Sequence, residues 1–393
     1  MTKINKNAIK WTVLLMSLTQ QGMLAISAVI ADISKAFPTV SDQTVQFLMT
    51  FPGFFIMVMS LLSAGLTKII SRKKLMTIGM ALCLSSGIGG FLFHSHIAFC
   101  FLWAILLGTG VGLWMPLATA VASDYFENEE RASLLGTMSG AQNLGAMLMS
   151  LIGGILAVSA WSNIYLVYLI AIPGLIFCII FIPETPVDRS AEEQKSRMKI
   201  DNRLIIYSFI IFYFSLFYNA GPANFSLILA ERNIGNSSTA GVLSSLMLLG
   251  GVLMGFVFGK ISDKIEEKTI PMGLTLLAIG FFGLGFGNSV VISMVCAVIA
   301  GMSISLVLPQ VSFQVVKGRK PEEFAMATAI ALAMGNLGAF ATPLTTTMAE
   351  VVTGSSQVSI RMMFCSAGSL LGVVLSVLLC RKNNNVEISD VND

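Results

Sequence analysis

An all-helical membrane protein, with twelve transmembrane helices in two pseudo-symmetric bundles of six, is the fold class that this 393-residue chain predicts. Three observations predict it. Hydrophobic residues make up 55% of the chain and charged residues only 11%, where a soluble domain carries about 25% charged residues. Apolar runs of about 20 residues recur from end to end, each long enough to cross a bilayer as a helix. The second half also repeats the first. In lipid, backbone polar groups must be satisfied within the segment, so the runs read as helices.

The first half contributes spans at 11–32, 43–67, 75–93, 98–123, 133–159 and 162–183. The second contributes 203–230, 239–262, 270–288, 290–315, 324–352 and 357–380. The first run follows Lys3, Lys6 and Lys10 as a signal peptide would. It is too long for an h-region and many spans follow it, so it reads as a retained helix. Between the halves lies the longest polar segment, "PETPVDRSAEEQKSRMKIDNR", whose mixed charge and lack of apolar period make it a linker. The expected organisation is a bundle over 1–183, a linker over 184–202, and a second bundle with a short tail over 203–393.

Positive charge sets the orientation. Of 24 Lys and Arg, only Lys35, Arg232 and Arg361 fall on the side opposite the termini. By the positive-inside rule both termini are expected in the cytoplasm, with the chain in the cell membrane. The six cysteines, Cys83, Cys100, Cys178, Cys296, Cys365 and Cys380, fall inside apolar runs with no metal-ligand spacing. They read as packing residues, and no metal or cofactor is expected.

The repeat is clearest at a constant shift of 193: Gly108 matches Gly301, Pro116 matches Pro309, Glu129 and Glu130 match Glu322 and Glu323, and Asn143-Leu144-Gly145-Ala146 matches Asn336-Leu337-Gly338-Ala339. Span four thus corresponds to span ten, and five to eleven. At a shift of 199, Gln20 meets Asn219, Gly22 meets Gly221 and Asp32 meets Glu231; at 195, Lys68 falls on Asp263.

With six spans, a linker and six repeated spans, the chain resembles the major facilitator superfamily over essentially its whole length. The family signature after span two runs roughly G-x-L-x-D-R-x-G-R-K. Here the region reads Ala64-Gly65-Leu66-Thr67-Lys68-Ile69-Ile70-Ser71-Arg72-Lys73, keeping the Arg-Lys end while the Gly, Asp, Arg and second Gly are lost. The resemblance implies an aspartate that latches the cytoplasmic seam between the halves, and Lys68 has the wrong sign for that. Asp263 and the acidic connection Asp124, Glu127, Glu129 and Glu130 are expected to take over part of the latch, pairing with Lys68, Arg72, Lys73 or Lys74. The alternative is that Lys68 is one more positive-inside charge. Two exporter features are also absent: Ala104 stands where some exporters carry Arg, and Met149-Ser150 where many carry Gly-Pro.

The resemblance implies alternating access, a monomer, and a substrate site near the midplane, lined chiefly by spans one, four, seven and ten. The polar candidates there are Gln20, Gln21, Gln142, Asn143, Asn219, Gln310 and Asn336, with Trp114 and Tyr218 as aromatic walls and Asn224 and Gln314 as further amides. Gln20 and Asn219 each precede a glycine by two residues, where a helix can loosen. Gln310 follows Pro309, and Trp114 precedes Pro116, at expected bends. Asn143 and Asn336 either bind substrate or tie their helices to neighbours. Phe51, Phe54, Phe55, Tyr213, Phe217 and Phe225, with 23 Met, suggest an apolar, adaptable wall.

No ionisable side chain occupies the middle of any span, although such residues mark proton relays and charged-substrate sites. A small, fully charged substrate would therefore lack a counter-ion. If protons are coupled, Asp32, Glu231 and Glu350 near the outer ends remain to carry them, and Arg361 could meet an acidic head group. His94 and His96 read as solvated. "GTGVG" at Gly108 lies inside a span without the strand a nucleotide loop needs, and no catalytic motif is present, so enzymatic function is not expected. No basic tract suggests nucleic acid.

The expectation is a secondary transporter for a small lipophilic or amphipathic organic solute. It would be either a proton-coupled efflux pump or a permease for an amphipathic organic acid, bile-acid-like or an aromatic carboxylate. A receptor or scaffold is the non-transport alternative.

Overall fold

The computed structural model describes residues 5–184 and 200–392; the central part of the linker and the side chain of Cys380 lie outside the described residues. Helices account for the ordered structure, and the described residues contain no strand. The chain forms two compact units: Met1–Glu193 with Ser237–Ser245, and Gln194–Asn236 with Leu246–Asp393.

The first unit opens with a broken span: α1 (Lys6–Ser17), a 3₁₀ segment (Gly22–Val29) and α2 (Ile30–Ala36). Asn5 starts α1 by accepting a bond from the Ala8 amide at 3.2 Å, and Ser41 starts α3 (Asp42–Leu66) by accepting from Thr44 at 3.3 Å. Next come α4 (Arg72–Leu92), α5 (Ile97–Tyr125) and α6 (Asn128–Ala157), then a 3₁₀ segment (Trp161–Ile170) that leads into α7 (Ala171–Phe181). The helix α5 packs against both α3 and α4. Glycine sets these distances. A Cβ on Gly108 would lie 2.3 Å from the Pro52 carbonyl oxygen, and one on Gly110 would lie 2.5 Å from that of Gly79. Small residues let backbones approach where no hydrophobic force draws helices together in lipid.

The second unit holds α8 (Asn202–Tyr218), α9 (Ala220–Glu231), most of α10 (Ser237–Ile265), α11 (Thr269–Phe286), α12 (Val290–Val316), α13 (Pro321–Ala341), α14 (Pro343–Thr353) and α15 (Val358–Asn392). Asp201 caps α8 by accepting from Leu204 at 2.9 Å. The helix α11 packs on α12 and α15, and α8 packs on α13. The first turns of α10 pack with the first unit: Ser245 donates to the Met147 carbonyl at 3.0 Å, and Ser27 and Ser244 hydroxyls meet at 2.8 Å.

Ten described helices are long and apolar enough to cross a membrane, or eleven with the bent pair Met326–Ala341 and Pro343–Thr353. One of them, Ser237–Phe286, is 50 residues long, roughly 75 Å if straight and far beyond a hydrocarbon core of about 30 Å. A turn at Glu266–Lys268 divides it into α10 and α11, which accounts for the expected twelve spans. Span eleven departs from expectation. It is broken rather than continuous, bending 52° where Pro343 begins a new helix. The outward faces are aliphatic and aromatic: Leu61 is 70% exposed and Phe256 80%. That is the reverse of a water-facing surface and suits a multi-pass membrane protein. The five described cysteines are buried and free.

Candidate functional site

In the first unit Gln20 and Gln21 lie at the break in span one. Backbone bonding tightens over 17–22, with Gln20 donating to Ser17 at 3.2 Å and Gly22 to Thr19 at 3.2 Å. Gln20 and Gln21 occupy that turn, half-buried, and the Gln20 side-chain oxygen is buried with no hydrogen-bond partner. The break is held from outside by Tyr168, which donates to the Gly22 carbonyl at 3.1 Å. Its ring lies where a Cβ on Gly22 would come within 2.9 Å, so only glycine admits it. Sequence reasoning missed Tyr168, although the glycine facing it was legible.

At the matching place in the second unit the interruption is a single residue, with i→i−4 backbone bonds from the Asn219 and Ala223 amides on either side. Asn219 ends α8 and precedes α9, and its amide donates to the Ser215 carbonyl at 3.0 Å. The hydroxyl of neighbouring Tyr218 is buried with no hydrogen-bond partner. Thr342, at the bend of span eleven, donates to the Leu216 carbonyl at 3.1 Å, so the Thr342 and Asn219 side chains both bond backbone carbonyls in the last turn of α8. Sequence reasoning missed Thr342 because a threonine before a proline carries no functional signature.

The other candidates divide. Gln310 is 2% exposed, and its oxygen accepts from Ser262 at 3.1 Å, while Gln314 accepts from Arg203. Both tie helices of the second unit together. Trp114 is fully buried against Gly79. Asn224 is buried and bonds the Ala220 carbonyl. Gln142 and Asn336 are half-buried and Asn143 is exposed. Of the two readings of Asn143 and Asn336, a tie to neighbouring helices is absent among the described hydrogen bonds. The close approach is made instead by the glycines two residues on: a Cβ on Gly145 would lie 2.0 Å from the Leu18 carbonyl, and one on Gly338 2.2 Å from that of Phe212. Phe51 and Phe55 pack with rings 5.4 Å apart, and Tyr213 and Phe217 with rings 5.0 Å apart.

The charged candidates are mostly engaged. Arg72 pairs with Asp124 at 2.5 Å, inside the first unit. Lys68 is half-buried and Glu129 exposed, and no ion pair of the described residues joins them. Of the pairings open to these cations, Arg72–Asp124 is formed: Arg72 opens α4, while Lys68 sits in the turn before it. Asp263 is exposed. Glu231 accepts from the Val358 amide at 2.6 Å, the Ser359 amide at 3.1 Å and the Ser359 hydroxyl at 2.7 Å, capping α15. Arg232 donates to the Gly285 carbonyl at 2.6 Å and to that of Gly287. Burial pulls its guanidinium below the ordinary range, and Glu231 pulls it back. Glu350 pairs with buried Arg361 at 2.8 Å. Asp32 has only a loose contact with Lys35, at 3.9 Å.

The family model described as Major Facilitator Superfamily matches residues 11–343, with a second match over 207–389. A putative glycerol-3-phosphate transporter 3 of Arabidopsis thaliana is 24% identical over 282 residues, 59% of this chain and 55% of that protein, so the match spans about half the relative's length. The nucleoside transporter NupG superposes with a TM-score of 0.74 at 11% identity, covering 94% of this chain and 98% of that one. A bacterial homologue of the human lysosomal transporter Spinster, solved inward-facing and unoccupied, gives 0.74 at 14% identity, covering 95% and 96%. At these identities the two structures speak for the fold alone.

Proposed function

This chain belongs to the major facilitator superfamily, and we propose that within this class of membrane transporter it moves a small amphipathic organic solute, with Gln20 and Asn219 as the first polar contacts. The observation that carries the reading is the pair of repeat-matched helix breaks. Discontinuous helices are where transporters of this kind expose backbone and amide groups to substrate. The buried, partnerless Gln20 oxygen and Tyr218 hydroxyl add polar groups that a ligand can satisfy.

An organic acid is favoured over a lipophilic cation. The spans offer no midspan carboxylate to attract a cation, and the relative in Arabidopsis thaliana is named for an organic phosphate. Amide and phenol donors suit one acidic head group beside an apolar body. Efflux of lipophilic compounds is the second reading, supported by the 23 Met and the aromatic clusters. The charge bias of the loops supports cytoplasmic termini and a cell-membrane location. A monomer and the absence of nucleic-acid partners complete the proposal.

The test is accumulation of labelled compounds in cells expressing the protein, at two external pH values. The panel holds an amphipathic aromatic carboxylate, glycerol-3-phosphate, a lipophilic cation dye and a sugar. Gain of the carboxylate, reduced at least tenfold by Gln20→Leu or Asn219→Leu, supports the proposal. Protein-dependent loss of the dye with no carboxylate uptake would replace it with efflux.

A further inference from the structure

Between the start of α4 and the end of α7 lies a groove of about 330 Å³. Ile70, Ile78 and Ile179 line it with aliphatic surface, Lys73 and Lys74 contribute two ammonium groups, and Glu184 contributes one carboxylate. Ile78 is 43% exposed and Ile179 49%. The floor is fixed by Thr77, whose hydroxyl donates to the Lys73 carbonyl at 2.9 Å and meets the Cys178 sulfur at 3.7 Å, joining α4 to α7.

The charge here runs against the helix. The first turn of α4 reads Arg72-Lys73-Lys74 and contains no acidic residue, and Ser71 gives no side-chain cap. Cations at a helix N-terminus oppose the dipole, and anions are favoured there. Asp124 offsets Arg72, which leaves two lysines against the single carboxylate of Glu184 along the groove. A local arrangement that breaks the helix rule is expected where a partner compensates for it.

We propose that this groove binds an anionic phospholipid of the leaflet on the side of the chain termini. The phosphate lies against Lys73 and Lys74, and an acyl chain lies along Ile78 and Ile179. Soluble anions fit the lysines but leave the exposed isoleucines unused. A zwitterionic lipid fits the isoleucines but brings its own cation to the lysines.

The purified full-length protein in neutral detergent would be titrated with phosphatidylglycerol, phosphatidylcholine or inorganic phosphate. Retained lipid would be read by native mass spectrometry, and the melting temperature recorded. The expected result is preferential retention of phosphatidylglycerol, weakened roughly 30-fold in Lys73→Gln/Lys74→Gln, since each lysine near an anionic head group contributes a factor of about five. Lys264→Gln/Lys268→Gln, at the exposed end of α10 and in the turn that follows it, should bind as the parent does. Ile78→Trp keeps both charges, fills the groove and should also lose the lipid, so the test survives if the double lysine variant misfolds. Equal retention of both lipids, unchanged binding in Lys73→Gln/Lys74→Gln or Ile78→Trp, or equal stabilisation by inorganic phosphate would each overturn the proposal.

Discussion

The two halves of this chain share their backbone contacts and differ in their polar ones. Gly108 meets Pro52 in the first half as Gly301 meets Met247 in the second, and Gly145 meets Leu18 as Gly338 meets Phe212. The breaks at Gln20 and Asn219 also correspond. At the outer ends the correspondence fails. Glu231 receives three hydrogen bonds from the start of α15, while its counterpart Asp32 has one contact at 3.9 Å. Close helix approach is therefore what the repeated fold requires, and the charged residues are where each half was free to specialise.

The largest expected effect tests the shared part. A Cβ on Gly301 would lie 1.8 Å from the Met247 carbonyl oxygen, and the backbone there cannot yield without separating α12 from α10. Gly301→Ala is expected to cost about 3 kcal/mol, at the upper end for overpacking. Gly108→Ala, at 2.3 Å, should cost less. Gly140→Ala, with nothing within 4 Å, should be neutral or stabilising by up to about 1 kcal/mol. Thermal unfolding of the three purified variants checks the order. Equal effects at all three would mean that the close contacts are not what holds the repeat together.

Next come the specialised contacts of the second half. Glu350→Gln removes one carboxylate from Arg361, which is 3% exposed. Breaking a fully buried pair costs several kcal/mol. The Glu350 side chain is 41% exposed, so about 2 kcal/mol is expected here. Glu231→Ala removes a cap, for about 1–2 kcal/mol, and should raise hydrogen exchange at the first turn of α15 before any other helix. Exchange that rises uniformly instead would show that Glu231 does not act locally.

Much of this was legible in the sequence, for identifiable reasons. Helices in lipid are written as long apolar runs, and a repeat built on close packing is written in glycines at a fixed shift. The breaks were legible too, because Gln20 and Asn219 each stand two residues before a glycine. What holds the breaks was not. Tyr168 reaches Gly22 across 146 residues, and Thr342 reaches the carbonyl of Leu216 across 126; neither pairing has a local pattern. The partners of the acidic residues were hidden for the same reason. Position near an outer end made Glu231 and Glu350 equal to Asp32 as proton carriers, and only the folded chain reveals their partners.

The smallest expected effect on stability is at Asp32, and it sharpens the comparison most. The Asp32–Lys35 contact joins a half-buried carboxylate to an exposed lysine, is long and spans one helical turn, a geometry worth at most about 0.5 kcal/mol. Asp32→Asn should therefore leave the melting temperature within about 2 °C of the parent. Glu231 and Glu350 are already engaged by neighbouring backbone and by Arg361, so protonating either breaks a structural contact. Asp32 can gain and lose a proton with little structural consequence. If transport depends on external pH, that dependence should vanish in Asp32→Asn while transport at a single pH persists. In Glu231→Gln the pH dependence should survive, at reduced stability. Retention of the full pH dependence in Asp32→Asn would remove the first half's outer carboxylate from any coupling mechanism.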